Sequence, residues 1–233
     1  MYFKKKTHKN PMKDRPIVSS CNSITEGISQ FIDYWLQPIM QNLPSYIRDS
    51  TAFINIVERM ILPFDIIIAS IDVSSLYTNI PHSEGKEAAV NALHNQPDPD
   101  PLRPEPEVIG ELIDIVLNNN VFVFDDKHYL QIQGCAMGTK LAPAYANIFM
   151  SHIEQAMLEK AHGKALLWKR FIDDIAVFWT GTMEEFTKYM DEVNTLHRTI
   201  KFTYEASHDE IVFLDLTLYK GERFRSTGIL DIK

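Results

Sequence analysis

With 233 residues, 45% of them hydrophobic, the chain is long enough to bury a sizeable core in one large domain or two lobes, and its composition excludes a disordered protein. No apolar run reaches the ~18 residues of a membrane helix, and the charged start MYFKKKTHKN has no apolar stretch behind it to make a secretory signal. A net charge of −8 argues, taken alone, against a nucleic-acid partner, and two cysteines, Cys21 and Cys135, make neither a disulfide framework nor a zinc site and point to an intracellular, reduced protein.

The charge is unevenly placed. Residues 1–15 hold Lys4, Lys5, Lys6, Lys9, Lys13 and Arg15 against Asp14 alone. That arm is either a solvated tail or a segment that tracks phosphates. Ser23 with Glu26 three residues on reads as a capping box, and Ile28, Phe31, Ile32, Trp35, Leu36 and Ile39 follow at helical spacing, with Pro38 expected to end or bend the helix. STAFINIVERMIL reads as a second helix. DIIIASIDV (Asp65 to Val73) is short and β-branched, the pattern of a buried strand. SEGKEAAVNALH and EVIGELIDIVLNN read as helices on either side of Asn95 to Glu107, whose five prolines forbid regular structure. VFVFDDKHYLQI reads as a hairpin turning at Asp125-Asp126, and LAPAYANIFMSHIEQAMLEKA as a long helix. LLWKRFI and IAVFWT read as strands meeting at Asp173-Asp174. Thr182 and Glu185 cap one more helix, and IKFTYEA and IVFLDLTLY finish as strands. Hairpins mixed with helices predict an α+β fold, an antiparallel sheet with helices packed on one face.

Two carboxylates at a joint between apolar strands need compensation, because a buried, unpaired carboxylate costs several kcal/mol. No base follows them in the apolar run, and Lys169-Arg170 lie on the approach. A divalent cation is an economical answer, since magnesium is held by one or two carboxylates plus substrate phosphates. A third acid, Asp72, ends the other buried strand, ahead of the turn-prone stretch Ser74 to Asn79. Strand ends offering carboxylates to one place suit two-metal phosphoryl transfer. The alternative is a plain Asp-rich hairpin turn and a strand cap. In QGCAMGTKLAPAYAN, Gly134 and Gly138 bracket a stretch where backbone could approach a ligand. Pro143 suits a helix start, and Ala142, Ala144 and Ala146 leave room for something flat to lie against the element. The alternative is a Gly-rich turn with small residues for packing.

In this order along the chain, these segments resemble the reverse transcriptases. RPIVSS is similar to the fingers segment, SIDVSSLYTNIP to motif A, QGCAMGTKLAPAYAN to motif B, FIDD to the aspartate box of motif C, and IKFTYEAS and FLDLTLYKG to the late palm motifs. DVSSLYTNIP together with AMGTKLAPAYAN most resembles Penelope-like retroelements. The resemblance implies a right-hand polymerase palm with partial fingers over residues 15–220, a basic arm at 1–14, and a truncated tail at 221–233 with the thumb missing. It implies RNA-directed DNA polymerase activity, with two magnesium ions, or manganese in their place, held by Asp72, Asp173, Asp174 and the Val73 carbonyl. Arg15, Tyr77, Gln133 and Gly134 would bind the nucleotide, with Tyr77 as the gate against a ribose 2′-hydroxyl. Phe171 and Gly138 would face primer and template. For the proton donor to pyrophosphate, Lys201 and His208 both stay open. The implied partners are an RNA or DNA template with primer and deoxynucleoside triphosphates, with no membrane, in an intracellular setting that leaves the nucleus open. A catalytically silent nucleic-acid-binding remnant is the alternative.

Overall fold

The computed structural model describes residues 2–6, 13–18, 22–97 and 100–233, with side chains from residue 17 onward. In chain order the strands and helices are β1 (Tyr2–Lys6), β2 (Lys13–Ile17), α1 (Glu26–Gln41), α2 (Ser50–Val57), β3 (Ile67–Val73) and the short α3 (Leu76–Asn79). Then come α4 (His82–His94), α5 (Pro106–Asn118), β4 (Val121–Phe124), β5 (Lys127–Leu130) and α6 (Ala142–Lys160). The chain continues with β6 (Ala165–Phe171), β7 (Asp174–Trp179), α7 (Met183–Val193) and β8 (Phe202–Ser207). It finishes with β9 (Glu210–Phe213), β10 (Leu216–Tyr219), α8 (Glu222–Thr227) and β11 (Asp231–Ile232). They divide into two compact units, residues 1–40 with 77–149 and residues 41–76 with 150–233.

The second unit is built on a four-stranded sheet in the order β6-β7-β3-β8, with every neighbouring pair antiparallel. Residues of β7 from Ile175 to Trp179 are all buried. A strand covered on both faces reads as a continuous apolar run, which is why IAVFW does not alternate. On one face Trp179 meets Phe186 and Tyr189 of α7, and the Tyr189 hydroxyl donates to the Met157 carbonyl of α6, so α6 and α7 form the helix layer. On the other face Ile68, Ala176 and Phe178 join Phe53 and Val57 of α2 and Ile211, Phe213 and Leu218 of the small β9-β10-β11 sheet. Phe224 and Leu230 also belong to this core, so residues 221–233, expected as a tail, supply a helix, a strand and two core side chains.

In the first unit, α1, α4, α5 and the start of α6 bury Ile32, Leu36, Leu93, Ile113 and Tyr145. Leu141 N donates to the Ser29 hydroxyl, tying the α6 entry to α1. β4 and β5 pair as a hairpin whose turn residues, Asp125 and Asp126, have φ of 51° and 57°. Two left-handed residues make the type I′ turn favoured between antiparallel strands, and Asp is among the few residues that accept the conformation readily.

Local signals fared differently at three places. Pro38 lies inside α1, which runs on to Gln41, so it does not end the helix. Glu26 accepts from the amide of Asn22 rather than Ser23, placing the cap interaction one residue early. IVFLDLTLY turns back at Leu214, φ 56°, to give the paired strands β9 and β10. The Thr182–Glu185 capping box is present in both directions.

Candidate active site

The register of the main sheet brings the acids together. Asp72, one residue from the end of β3, is directly opposite Asp174, the first residue of β7. Residues paired this way share a face with Cβ atoms about 4.5–5.5 Å apart, and like charges so placed repel. Asp173 occupies the two-residue turn between β6 and β7, and its carbonyl accepts from the amide of Val73 at 2.8 Å. That bond locks the turn onto the end of β3. The Asp72 carboxylate also accepts from the Thr203 hydroxyl of β8 at 3.5 Å. All three acids are half-buried. Phe171, paired with Asp174 across the hairpin, packs its ring against the core of this unit.

The turn is unusual. Ile172 has φ 55° while Asp173 does not share the left-handed region. A left-handed first residue is the type II′ pattern, which prefers glycine there. For a β-branched residue this is a true outlier, and such residues cost of order 1–3 kcal/mol and persist only where their surroundings over-determine them.

Those surroundings include a buried ion pair. Arg170 and Glu154 are 0% and 3% exposed, with Arg170 Nε to Glu154 Oε1 at 2.8 Å and Nη2 to Oε2 at 3.1 Å. Glu154 also accepts from Trp168 Nε1 at 2.7 Å and from the Ser45 hydroxyl at 2.7 Å. Arg170 Nη1 donates to the Ile172 carbonyl at 3.3 Å. Sequence reasoning placed Arg170 only on the approach to the acids and overlooked Glu154. The available signal was a single acid within the apolar run of α6, which a buried position obliges to find a cation.

Hard oxygen donors from two strand ends, arranged as a like-charged pair, fit a magnesium ion, which completes its shell with water and substrate phosphate. Among the described residues no group of three or more His, Cys, Asp and Glu side chains is gathered closely enough to hold an ion unaided. Of the two bases considered as proton donors, Lys201 has its Nζ bonded to the Asn194 and His197 carbonyls, and His208 lines a separate surface pocket with Lys220 and Arg225.

The expected nucleotide-binding segments meet in the first unit. Cys135 N donates to the Tyr77 carbonyl at 2.7 Å, and His82 Nε2 lies 2.8 Å from the Gly134 carbonyl. Gly134 has φ +72°, and a Cβ on it would come within 2.4 Å of the Tyr77 carbonyl oxygen. The close approach of the α3 backbone thus requires a glycine here. Gln133 is exposed and lines an open cavity of about 430 Å³ with Thr78, Asn79, Phe122 and Ile132, and Gly138 lies at the far end of the same loop. Ala142, Ala144 and Ala146 are fully buried, so the room their size suggested is filled by protein. Cys135 is a packing residue whose thiol burial pushes up to about 12. Arg15 falls on β2, in a stretch whose side chains lie outside the described residues.

Among solved structures, the fold matches apo telomerase from Candida tropicalis, truncated of its C-terminal domain. Identity is 12% and the TM-score 0.65, over 92% of this chain and 46% of that one. It also matches telomerase from Candida albicans in complex with a fragment of telomeric RNA, at 12% identity and TM-score 0.64, over 92% and 38%. The BmCPV RNA-dependent RNA polymerase at its elongation state matches at 11% identity and TM-score 0.67, over 93% and 21%. The chain spans less than half the length of each. At these identities the likeness is one of fold, a mixed helix and antiparallel-sheet polymerase palm. No curated protein sequence matches. Among the described residues no helix is long and apolar enough to cross a membrane. The sequence itself matches the family described as reverse transcriptase (RNA-dependent DNA polymerase) over residues 3–212, so the chain belongs to the reverse transcriptase family.

Proposed function

We propose that the chain is the fingers and palm portion, residues 15–220, of an RNA-directed DNA polymerase from a retroelement of the Penelope-like kind. The observation that carries this reading is the opposition of Asp72 and Asp174 across β3 and β7, with Asp173 in the adjoining turn, in a chain of this family. The reaction is attack of a primer 3′-hydroxyl on the α-phosphate of a deoxynucleoside triphosphate, with pyrophosphate leaving in line. Asp72, Asp173, Asp174 and the Val73 carbonyl would hold two divalent cations, magnesium or manganese. When bound, such cations lower the charge repulsion between the reacting oxygens and the phosphate. The protein's own share is orientation, since holding the reactants in line accounts for much of the barrier reduction.

Tyr77, Gln133 and Gly134 are assigned to the nucleotide, with Tyr77 excluding a 2′-hydroxyl. Arg15 is assigned to the triphosphate, where its planar fork suits phosphate oxygens. Phe171 and Gly138 are assigned to the primer and template strands. Template and primer are RNA or DNA, gripped largely through phosphates. Primer extension on an RNA template with magnesium tests the reading. Deoxynucleotide incorporation by the wild-type chain, with ribonucleotide use rising in Tyr77→Ala, is the expected result. Binding without any extension would favour a silent remnant. Unchanged sugar selection in Tyr77→Ala would remove the gate assignment.

A further inference from the structure

The Arg170–Glu154 pair has more donors and acceptors engaged than a stabilising ion pair needs. Both Glu154 oxygens are bonded by Arg170, and Trp168 and Ser45 add two further donors from β6 and from the segment before α2. The backbone of Arg170 is held as well, its amide by the Ser45 carbonyl at 2.7 Å and its carbonyl by the Ile47 amide at 3.1 Å. The guanidinium is thus held through Nε and Nη2 by a carboxylate that is itself held by two other donors, on a backbone anchored at both its amide and its carbonyl. Its Nη1 is aimed at the Ile172 carbonyl. That carbonyl belongs to the peptide joining Ile172 to Asp173, the one whose orientation a left-handed Ile172 sets.

A buried ion pair is weak grounds for stability, because well-packed apolar residues of similar volume often serve equally well. What apolar residues could not supply is a fixed donor to the turn carbonyl. Without it, a β-branched residue held at φ 55° would relax toward ordinary backbone and carry the next side chain with it.

We propose that Arg170 is a positioning residue for the polymerase reaction, its buried guanidinium, oriented by Glu154, holding the Ile172–Asp173 peptide and so the Asp173 carboxylate in its working orientation. The inference rests on the polymerase reading of the site. Arg170 touches no reacting atom in this role; it acts through the turn. Lysine keeps the charge but cannot replace the fork, so the substitution is not conservative here.

The test compares wild type, Arg170→Lys and the double variant Arg170→Met/Glu154→Met, which removes both charges together. Two readouts are taken on each: amide hydrogen exchange of the peptide covering 171–175, and the kcat and KM of primer extension for the deoxynucleotide. The expected result is faster exchange at the turn than at the rest of β7. It goes with a kcat lower by roughly 10–100-fold, since small misplacements of reacting groups cost about that much, while KM changes by less than about threefold. A double variant that melts near wild type with unchanged turn exchange and unchanged kcat would overturn the proposal. So would a loss confined to melting temperature. If the double variant does not fold, Arg170→Lys carries both readouts. If the wild-type chain shows no extension while exchange at the turn still depends on Arg170, the polymerase reading fails and the tether stands.

Discussion

Two hairpins in this chain carry the same pair of letters and use them in different ways. In β4–β5 the acids Asp125 and Asp126 are the two central turn residues, both left-handed, and the strands on either side are largely exposed. In β6–β7 the turn is Ile172-Asp173, one residue earlier relative to the acids, and Asp174 already belongs to a buried strand. The first hairpin uses residues that tolerate the required backbone, so it needs little support. The second puts isoleucine where glycine would be comfortable and supports it with a buried arginine, a buried glutamate and the Val73–Asp173 bond. Shifting the turn by one residue places Asp174 opposite Asp72 while Asp173 projects from the turn. Backbone comfort is sacrificed at the hairpin that sets Asp174 opposite Asp72 and kept at β4–β5; a bulky residue of positive φ recurs at Leu214 in the β9–β10 turn, so it is the β-branched Ile172 and its buried support that set the β6–β7 turn apart.

The contrast can be tested from its largest consequence downward. Asp72→Asn removes one carboxylate from the opposed pair. Primer extension should fall by roughly a thousandfold or more, since metal-assisted charge stabilisation contributes several kcal/mol. Metal-free stability should hold or rise by up to about 1 kcal/mol as the like-charge pair is lost, read by urea denaturation. Next, Arg170→Met alone should destabilise by about 3–5 kcal/mol, because Glu154 would remain buried and uncompensated. Restoring most of that loss by adding Glu154→Met would separate the charge penalty from packing. Ile172→Gly should stabilise by about 1 kcal/mol through relief of the left-handed backbone, less the cost of a freer unfolded chain. At the other hairpin, Asp126→Gly should change stability by less than about 0.5 kcal/mol. Equal responses to the two glycine substitutions would end the distinction between the turns.

Much of this was readable in the sequence because it is local. β3 and β7 announce themselves by β-branched apolar runs, α7 by its Thr182–Glu185 box, and the β4–β5 turn by adjacent aspartates between short apolar strands. Asp72 was legible as an acid at the end of a buried strand. Three things were not. The exact frame of the β6–β7 turn depends on register, and the pairing of β7 with β3 decides it rather than any preference of Ile172. The Arg170–Glu154 pair joins residues sixteen apart through packing that no periodicity reveals. The role of Gly134 followed from the approach of the Tyr77 backbone, a contact between segments more than fifty residues apart. Sequence signals of backbone preference survive folding; which backbone approaches which is a property of the whole unit.

The most direct measurement of the central claim is magnesium-dependent primer extension on an RNA template by the wild-type chain and by Asp173→Asn/Asp174→Asn, with melting curves of both. Extension by wild type that disappears in a double variant of undiminished stability is the expected result. Extension at the wild-type rate in the double variant, or none from the wild-type chain on any primed template, would contradict the claim that these strand ends hold metal beneath a growing 3′ end.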